Sequence, residues 1–505
     1  MERQAIIESP MLRAWKRLKK NKPAMVSLGV IIVAIFLAIF GPAMAPDSTP
    51  FADDQVLEIS QQKPGFQTKM MLDQKNRNEK KRFFLSALLF GRENSNTMIP
   101  VNSWKVIKDS VEVVVFRGEL ETETKKYGLI DLFYPLSITN KTIRYEGDKV
   151  TFNDAKENEI TASIVDLAKR FEKERIITKK YRLGTDNYGR DILSRLLYGV
   201  RISISVGFVA VLISLTIGIF MGALAGFYRD DLIKATIAEI LSAIIAMLST
   251  LYLGILFFNH YSLIFISSIS LNIKLGFLST ILTIGGNLGI IIMVCFVIIM
   301  ILFILYKLLK FILSRLFSSI KKLYTIPVDS SIMWLINVVW SIPTILLAMS
   351  INFALGSLID SFWVIYIAVG LSMWVEVARV VRGQVLGIRE MEYVQAARGL
   401  GYNDNRIIFK HILPNILGPI MVITSANFAS AILIEAGLSF VGIGAKPPMP
   451  SWGTMLNEYR TYLTIPGKTF LALYPGLAIA VLVLAFNLLG NGLSDAFDVK
   501  GKTNA

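Results

Sequence analysis

The sequence is short of the residues that most often carry chemistry: its 505 positions include one cysteine, Cys295, and two histidines, His260 and His411. A single thiol excludes a disulfide framework, and two isolated histidines give no metal-ligand spacing, so no metal is expected. Cys295 is expected to be an inert buried thiol. Charge is scarce too, at 18% of residues against 53% hydrophobic. A soluble protein this apolar would lack the polar surface to cover its core. Charge-free runs such as 202–226 and 473–490 reach or approach the ~20 residues that cross ~30 Å of hydrocarbon as a helix. A soluble enzyme, a secreted disulfide module and a disordered chain are excluded. A multi-span membrane protein remains.

The charge that is present is unevenly placed. Residues 46–180 hold 23 basic and 21 acidic side chains, nearly in balance, while the whole chain carries a net +15. The excess gathers in short segments: seven Lys/Arg in 1–24, five in 307–322 without an acid, and six in 379–410. Basic residues beside spans mark the cytoplasmic side, because they resist translocation and meet anionic lipid. The surplus therefore reads as topology and membrane-lipid contact, and no nucleic-acid partner is expected.

Region 1–45 reads as a cytoplasmic N-terminus followed by a first span at 25–44, too long for a signal-peptide core and so expected to be retained. Residues 46–180 form a polar insert that parity places outside the membrane. Within it, 111–116 (Val-Glu-Val-Val-Val-Phe) and 143–145 are strand-like, with turn signals at Asn140-Lys141 and Gly147-Asp148. Residues 163–176 read as an amphipathic helix, with Ile164, Leu167, Ala168 and Phe171 on one face. Region 181–228 carries a charged segment and a second span at about 200–226. Region 229–327 is apolar up to the basic stretch 307–322, and an even number of crossings is required; two are assigned, at about 234–258 and 284–306. Region 328–499 holds spans at about 331–352 (kinked at Pro343), 362–380, 415–441 and 471–494. The fold class is an all-α polytopic membrane protein of about eight spans with an α+β extracytoplasmic insert, both termini in the cytoplasm.

The most informative segment is 392–414, Glu-Tyr-Val-Gln-Ala-Ala-Arg-Gly-Leu-Gly-Tyr-Asn-Asp-Asn-Arg-Ile-Ile-Phe-Lys-His-Ile-Leu-Pro. It reads as a helix over 386–399, a turn with Gly401 at its left-handed C′ position, and a second helix capped by Asn403 or Asp404 that runs to Leu413. Pro414 then begins or re-aims the next span. Ala396 and Ala397 leave a surface that another backbone can approach closely.

This segment resembles the EAA loop of the membrane subunits of binding-protein-dependent ABC importers, whose pattern is Glu-Ala-Ala, three residues, Gly, nine residues, Ile, any residue, Leu-Pro. Ala396, Ala397, Gly401, Leu413 and Pro414 fall in register; Gln395 stands for the Glu and His411 for the Ile, as in the oligopeptide, dipeptide and nickel branch. Residues 183–203, with Gly-Thr-Asp-Asn-Tyr-Gly-Arg-Asp at 184–191, and 435–453, with Pro-Ser-Trp-Gly at 450–453, are similar to the same branch, as is the basic start through Pro46. The resemblance covers about 10–46, 181–228 and 328–499. It implies a six-span core, to which the hairpin in 229–327 and the insert are additions, in an inner (cytoplasmic) membrane permease of the C type.

The resemblance implies alternating access, with a second permease subunit in a heterodimer, two cytoplasmic ABC ATPases and an extracytoplasmic solute-binding protein. Peptides, di- or oligopeptides, are the implied cargo; nickel or another small solute is the alternative. The implied coupling residues are Gln395, Ala396, Ala397, Arg398, Gly401, Arg406, His411, Leu413 and Pro414. Arg398, Arg406 and Lys410 either meet acids on an ATPase or stay solvated. Asp186, Arg190, Asp191 and Arg195 either pair locally at the outer mouth of the second span or contact the binding protein. Glu435 either lines the path or braces neighbouring groups. A P-loop is absent: at Gly467-Lys-Thr469, Tyr462 stands where the first Gly belongs. The chain is thus expected to be no enzyme and to bind no cofactor, with ATP and Mg held by the partner ATPases. An ion-coupled carrier would need intramembrane carboxylates or broken helices in matched halves; the sequence offers Glu435 and no clear halves. A membrane-anchored enzyme would need a constellation in 46–180, which has neither His nor Cys. The insert itself is expected either to dock the solute-binding protein or to pad the partner permease.

Overall fold

The computed structural model describes residues 10–74, most of 91–230, parts of 234–249 and 306–315, and residues 323–356 and 361–497. The hairpin expected at 234–258 and 284–306, the turn at 140–141, His260 and Cys295 lie wholly or largely outside the described residues. The chain divides into two compact units. One takes in residues before 32, Val206–Leu438 and Leu482 onward; the other is Ile32–Ser205 with Ser439–Val481.

Helices α1 (Pro10–Leu18) and α2 (Lys22–Met44) open the chain. The insert follows as strands β1 (Phe66–Gln74), β2 (Asn96–Ile107), β3 (Ser110–Phe116) and β4 (Thr122–Gly128), helix α3 (Leu129–Phe133), β5 (Arg144–Glu146), β6 (Lys149–Asn153), β7 (Glu159–Ser163), α4 (Ile164–Arg175) and β8 (Ile176–Tyr181). The membrane core is α5 (Ile192–Tyr228), α6 (Val328–Trp340), α7 (Thr344–Leu355), α8 (Ser361–Arg389), α9 (Glu392–Gly399), α10 (Asp404–Phe440), α11 (Trp452–Tyr459) and α12 (Phe470–Phe497).

Among the described residues five helices, α2, α5, α8, α10 and α12, are long and apolar enough to cross a membrane, and the pair α6–α7 raises the number to six. Six is the number that the family resemblance assigns to the core. The kink expected at Pro343 is a full break, because α6 and α7 meet at 89°. Pro343 has no N–H to give the helix and its ring blocks the preceding carbonyl, so it sits instead as the N-cap of α7. Helix α5 begins eight residues before the expected span. Its 37 residues extend about 55 Å at 1.5 Å per residue, longer than hydrocarbon is thick.

In the first unit, Gly218, Gly222 and Gly226 of α5 lie against α8. A Cβ at these positions would sit 2.4 Å from Val377 Cβ, 2.4 Å from the Ala378 carbonyl and 2.8 Å from Val385 Cβ. Small residues four apart let two span helices pack backbone to backbone, where van der Waals contact must replace the hydrophobic effect. In the second unit, the insert forms a five-stranded antiparallel sheet in the order β4-β3-β2-β1-β8 and a three-stranded sheet in the order β5-β6-β7. The expected amphipathic helix is α4. The Ser163 hydroxyl caps it by accepting from the Asp166 N–H, and Leu167 and Phe171 are buried with Met71, Val113, Leu129 and Phe152. Strand β8 pairs with β1, Phe66 opposite Tyr181, so the insert's chain leaves where it entered.

Candidate functional site

The segment 389–416 forms a helical elbow whose geometry differs from the sequence reading at three points. First, the helix expected over 386–399 is interrupted. Helix α8 ends at Arg389 and α9 starts at Glu392. The Gln395 amide donates to the Arg389 carbonyl across this break, at 3.1 Å. An amide can donate this bond and an ionised carboxylate cannot, which gives Gln395 a local reason to stand where the family pattern has Glu. The Arg389 guanidinium, itself buried, donates to the Phe227 carbonyl in the last turn of α5 at 2.6 Å. It thereby satisfies one of the acceptors that a helix end leaves open.

Gly401 takes the expected place. Its φ is +77°, its N–H donates to the Arg398 carbonyl at 2.9 Å, and the Tyr402 N–H donates to the Ala397 carbonyl at 3.2 Å. These two bonds are the paired closure of a helix end around a left-handed residue. Second, the following helix does not stop at Leu413. Asn403 occupies the cap position without a side-chain bond, and α10 runs unbroken from Asp404 to Phe440. Pro414 cannot donate backward, and the helix absorbs this by widening into a π turn at Ile408–Ile412 and tightening at Leu413–Ile416. The Asn415 amide takes up the His411 carbonyl at 2.6 Å.

Third, Ala396 and Ala397 do not share a surface. Ala397 is buried with Val394, Ile407, Ile408 and Ile412 against Phe227, Val381 and Val385, whereas Ala396 is exposed. The elbow is two-faced. Gln395, Ala396, Gly401, Arg406 and Pro414 lie on its open side and Leu413 is half-buried. Leu400 and Phe409, 74% and 70% exposed, join the open side. Nothing lies within 4 Å of where a Cβ on Gly401 would be. Two of the cations stack on rings: Arg398 over Phe227 at 5.2 Å and Arg406 over Tyr402 at 4.2 Å. His411 stacks on the same Tyr402 at 6.0 Å. Lys410 is exposed. Arg382, counted in the basic segment, is held internally by a bidentate pair with Asp329 at 2.5 and 2.6 Å.

In the second unit, three of the four charged residues at the start of α5 meet in one buried network. Asp186 accepts from Arg190 Nε and Arg195 Nη1, both at 2.7 Å, from the Tyr459 hydroxyl at 3.2 Å, and from the Tyr188 and Arg190 N–H groups at 2.9 Å. Arg190 also reaches Asp53 at 3.1 Å and Glu458 at 2.9 Å, and Arg195 reaches Glu458 at 2.7 Å and the Tyr459 hydroxyl at 2.8 Å. Burial pushes the Tyr459 phenol well above its ordinary range, so it stays a neutral donor. Asp191 stands apart and caps α5 through the Ser194 N–H at 2.9 Å; burial raises its pKa against the opposing pull of the Ser194 bonds.

Sequence reasoning missed Asp53, Glu458 and Tyr459. The signal lay in charge bookkeeping. With Asp191 spent on a cap, two arginines about to be buried had only Asp186, so further acids had to come from elsewhere. Close packing fixes the loop: a Cβ on Gly189, whose φ is +72°, would lie 1.7 Å from the Val56 carbonyl oxygen. The Trp452 indole N–H of the 450–453 motif donates to the Leu196 carbonyl at 3.1 Å.

Glu435 is fully buried and is not free of partners; the path-lining reading requires that it become accessible in another state. One intramembrane carboxylate, Glu435, is expected from the sequence. Helix α8 carries a second, Glu376, which is exposed. Among the described residues no group of three or more His, Cys, Asp or Glu is placed to hold a metal.

Residues 316–500 match the model of the binding-protein-dependent transport system inner membrane component, and residues 9–64 match that of the N-terminal transmembrane domain of oligopeptide transport permease C. The chain is 31% identical over 321 residues to the glutathione transport system permease protein GsiD of Pectobacterium atrosepticum, covering 64% of this chain and 73% of that protein. It is 29% identical over 320 residues to the dipeptide transport system permease protein DppC of Alkalihalophilus pseudofirmus, covering 63% and 72%. Over 174 residues it is 41% identical to the GsiD of Salmonella paratyphi A, covering 34% and 56%. With five to six candidate spans among the described residues, an elbow in the register of the EAA pattern and relatives aligned across most of their length, the chain belongs to the binding-protein-dependent transport system inner membrane components, the multi-pass permease subunits of ABC importers.

Proposed function

We propose that this chain is one half of a peptide-conducting pore in the cytoplasmic membrane, with both termini inside, paired with a second, different permease subunit. Two cytoplasmic ATPases bind and hydrolyse ATP with Mg, and a solute-binding protein delivers short peptides from outside. The likeness to glutathione and dipeptide permeases supports peptide as cargo. The observation that carries the coupling role is the two-faced elbow. Its inner face is packed onto the ends of α5 and α8, while its open face offers Ala396, Leu400, Gly401 and Phe409 to another chain. A push on such a piece moves α8 and α10 as rigid rods, because the capping bonds and the apolar seam leave no slack between them.

The test is Gly401→Asp. A side chain there meets open space in this chain but forces a left-handed residue to carry a Cβ, at about 1–2 kcal/mol, and plants a charge on the coupling face. The variant should insert normally, bring down less ATPase on purification and lose ATP-driven peptide uptake. Full ATPase recovery with full uptake rejects the coupling role. The insert is read as a docking platform for the solute-binding protein. Because Val56 bonds the Tyr188 carbonyl and Asp53 pairs with Arg190, a deletion from residue 50 would dismantle the buried charge network as well. Joining Phe66 to Tyr181, neighbours across β1 and β8, removes the domain alone. Uptake should then fall with assembly intact, and undiminished uptake rejects docking.

A further inference from the structure

We propose that Glu376 and the cavity beside the broken span form a subsite for a cationic group of the transported solute, the α-ammonium of a short peptide; this rests on the peptide reading above. The cavity measures about 240 Å³ and lies where α6 breaks from α7 and faces α8 and α10, with Trp340, Thr344, Ser372, Glu376, Ser430 and Ile434 on its wall. All of these residues lie in the first unit.

Glu376 is the first charge after fifteen uncharged residues of α8, 361–375. A carboxylate in a span helix is costly against lipid and belongs toward a protein interior or a wet cavity. A carboxylate that braces the fold declares itself by a partner, as Asp329 does with Arg382. Among the described residues none hydrogen-bonds or ion-pairs with Glu376. The cation one turn along, Arg379, lies 4.1 Å above the Trp340 ring, on the wall of the same cavity. Glu376 therefore stands exposed beside three hydroxyl-bearing residues, with unused acceptor capacity.

The size of the cavity decides what can fill it. At about 240 Å³ it has room for a hydrated ammonium and one small side chain. It is a subsite on a path. A lysine or arginine from the second permease subunit would pair with Glu376 at the surface and would need no cavity behind it. A broken helix provides such a pocket because its freed backbone groups line polar space rather than lipid.

The test uses the assembled transporter, with both permease subunits, the ATPases and the solute-binding protein. A tripeptide with a free amine and a diazirine side chain should crosslink to the segment 340–344. Trialanine should compete for that labelling at least fivefold better than N-acetyl-trialanine. Glu376→Gln, nearly the same shape without the charge, should abolish the difference and lower trialanine uptake at least tenfold, and Glu376→Asp should restore part of both. Recovery of the second subunit should not change. Equal competition by the two peptides, or full uptake by Glu376→Gln, overturns the proposal. So does loss of the second subunit in that variant, since the carboxylate would then be its anchor. If the unaltered transporter takes up no dialanine, trialanine or other short peptide, the peptide reading itself fails and takes the subsite with it.

Discussion

The elbow and the buried charge network are both small, both close-packed and both built around a helix end, yet they are held by opposite means. The elbow buries one cation, Arg389, on a backbone carbonyl, leaves its other charges exposed or half-buried, and is fastened by apolar packing and backbone caps. The network buries Asp186, Arg190 and Arg195 and is fastened by ions. Apolar packing is tolerant. It lets a surface be re-engineered without unfolding what lies beneath, which suits the coupling role proposed for this face. A buried ion set is intolerant: each charge depends on the others, and loss of one strands the rest.

The largest effect should come from breaking the network. Arg195→Ala leaves Asp186 and Glu458 short of a donor in a site where the arginine is 2% exposed. Removing one partner of such a set costs about 3–5 kcal/mol. The expected readout is a large drop in the melting temperature of the purified complex and early proteolysis of the region 182–196, with ATPase recovery little changed. If Arg195→Ala melts like the parent, the network is ornamental and the contrast with the elbow disappears. Replacing both charges, Arg195→Met with Glu458→Met, should recover part of the loss.

Much of this could be read from the sequence, and the failures have a common cause. The six described spans, the helix ends of the elbow and helix α4 followed from hydrophobic runs, periodicity and capping, which are local, whereas the motif in the elbow was marked by its family resemblance. Gly401 was placed correctly because a left-handed C′ position is written in a few neighbouring residues. What failed needed tertiary neighbours. Ala396 and Ala397 look alike as letters, and only the direction of α9 sends one inward. Pro414 reads as the start or the bend of the next span, and the seam of isoleucines carries one helix through it by way of a π turn. Asp53 and Glu458 lie 137 and 268 residues from Arg190, beyond any local pattern. Glu376 was overlooked because it sits beside Arg379 and Arg382 at the end of an apolar run, where a charge looks like a boundary.

A middle-sized effect should come from Gln395→Glu, which restores the family's commoner residue but removes the donor to the Arg389 carbonyl. A lost hydrogen bond of this kind costs about 1 kcal/mol, and the added charge faces a carbonyl oxygen. The variant should show faster hydrogen exchange at 390–396 and a modest loss of coupling. It should leave the buried charge network untouched. Exchange unchanged at those amides would mean that the break between α8 and α9 is held by Arg389 alone.

The smallest effect on stability should accompany one of the largest on function. Leu400 and Phe409 are exposed side chains on the open face of the elbow, so replacing both with serine removes little that the folded chain uses. Surface changes of this kind shift stability by no more than about 0.5 kcal/mol. If the face is a docking surface, the same pair of changes should sharply weaken ATPase association, because exposed apolar anchors gain their energy only when a partner covers them. An elbow that kept full ATPase affinity without Leu400 and Phe409 would place the grip on its polar rim, at Gln395, Arg406 and Lys410, and salt dependence would then separate the two modes. Apolar docking should persist at high ionic strength, whereas a rim of exposed ion pairs should fade as the screening length falls from about 10 Å at 0.1 M to about 3 Å at 1 M.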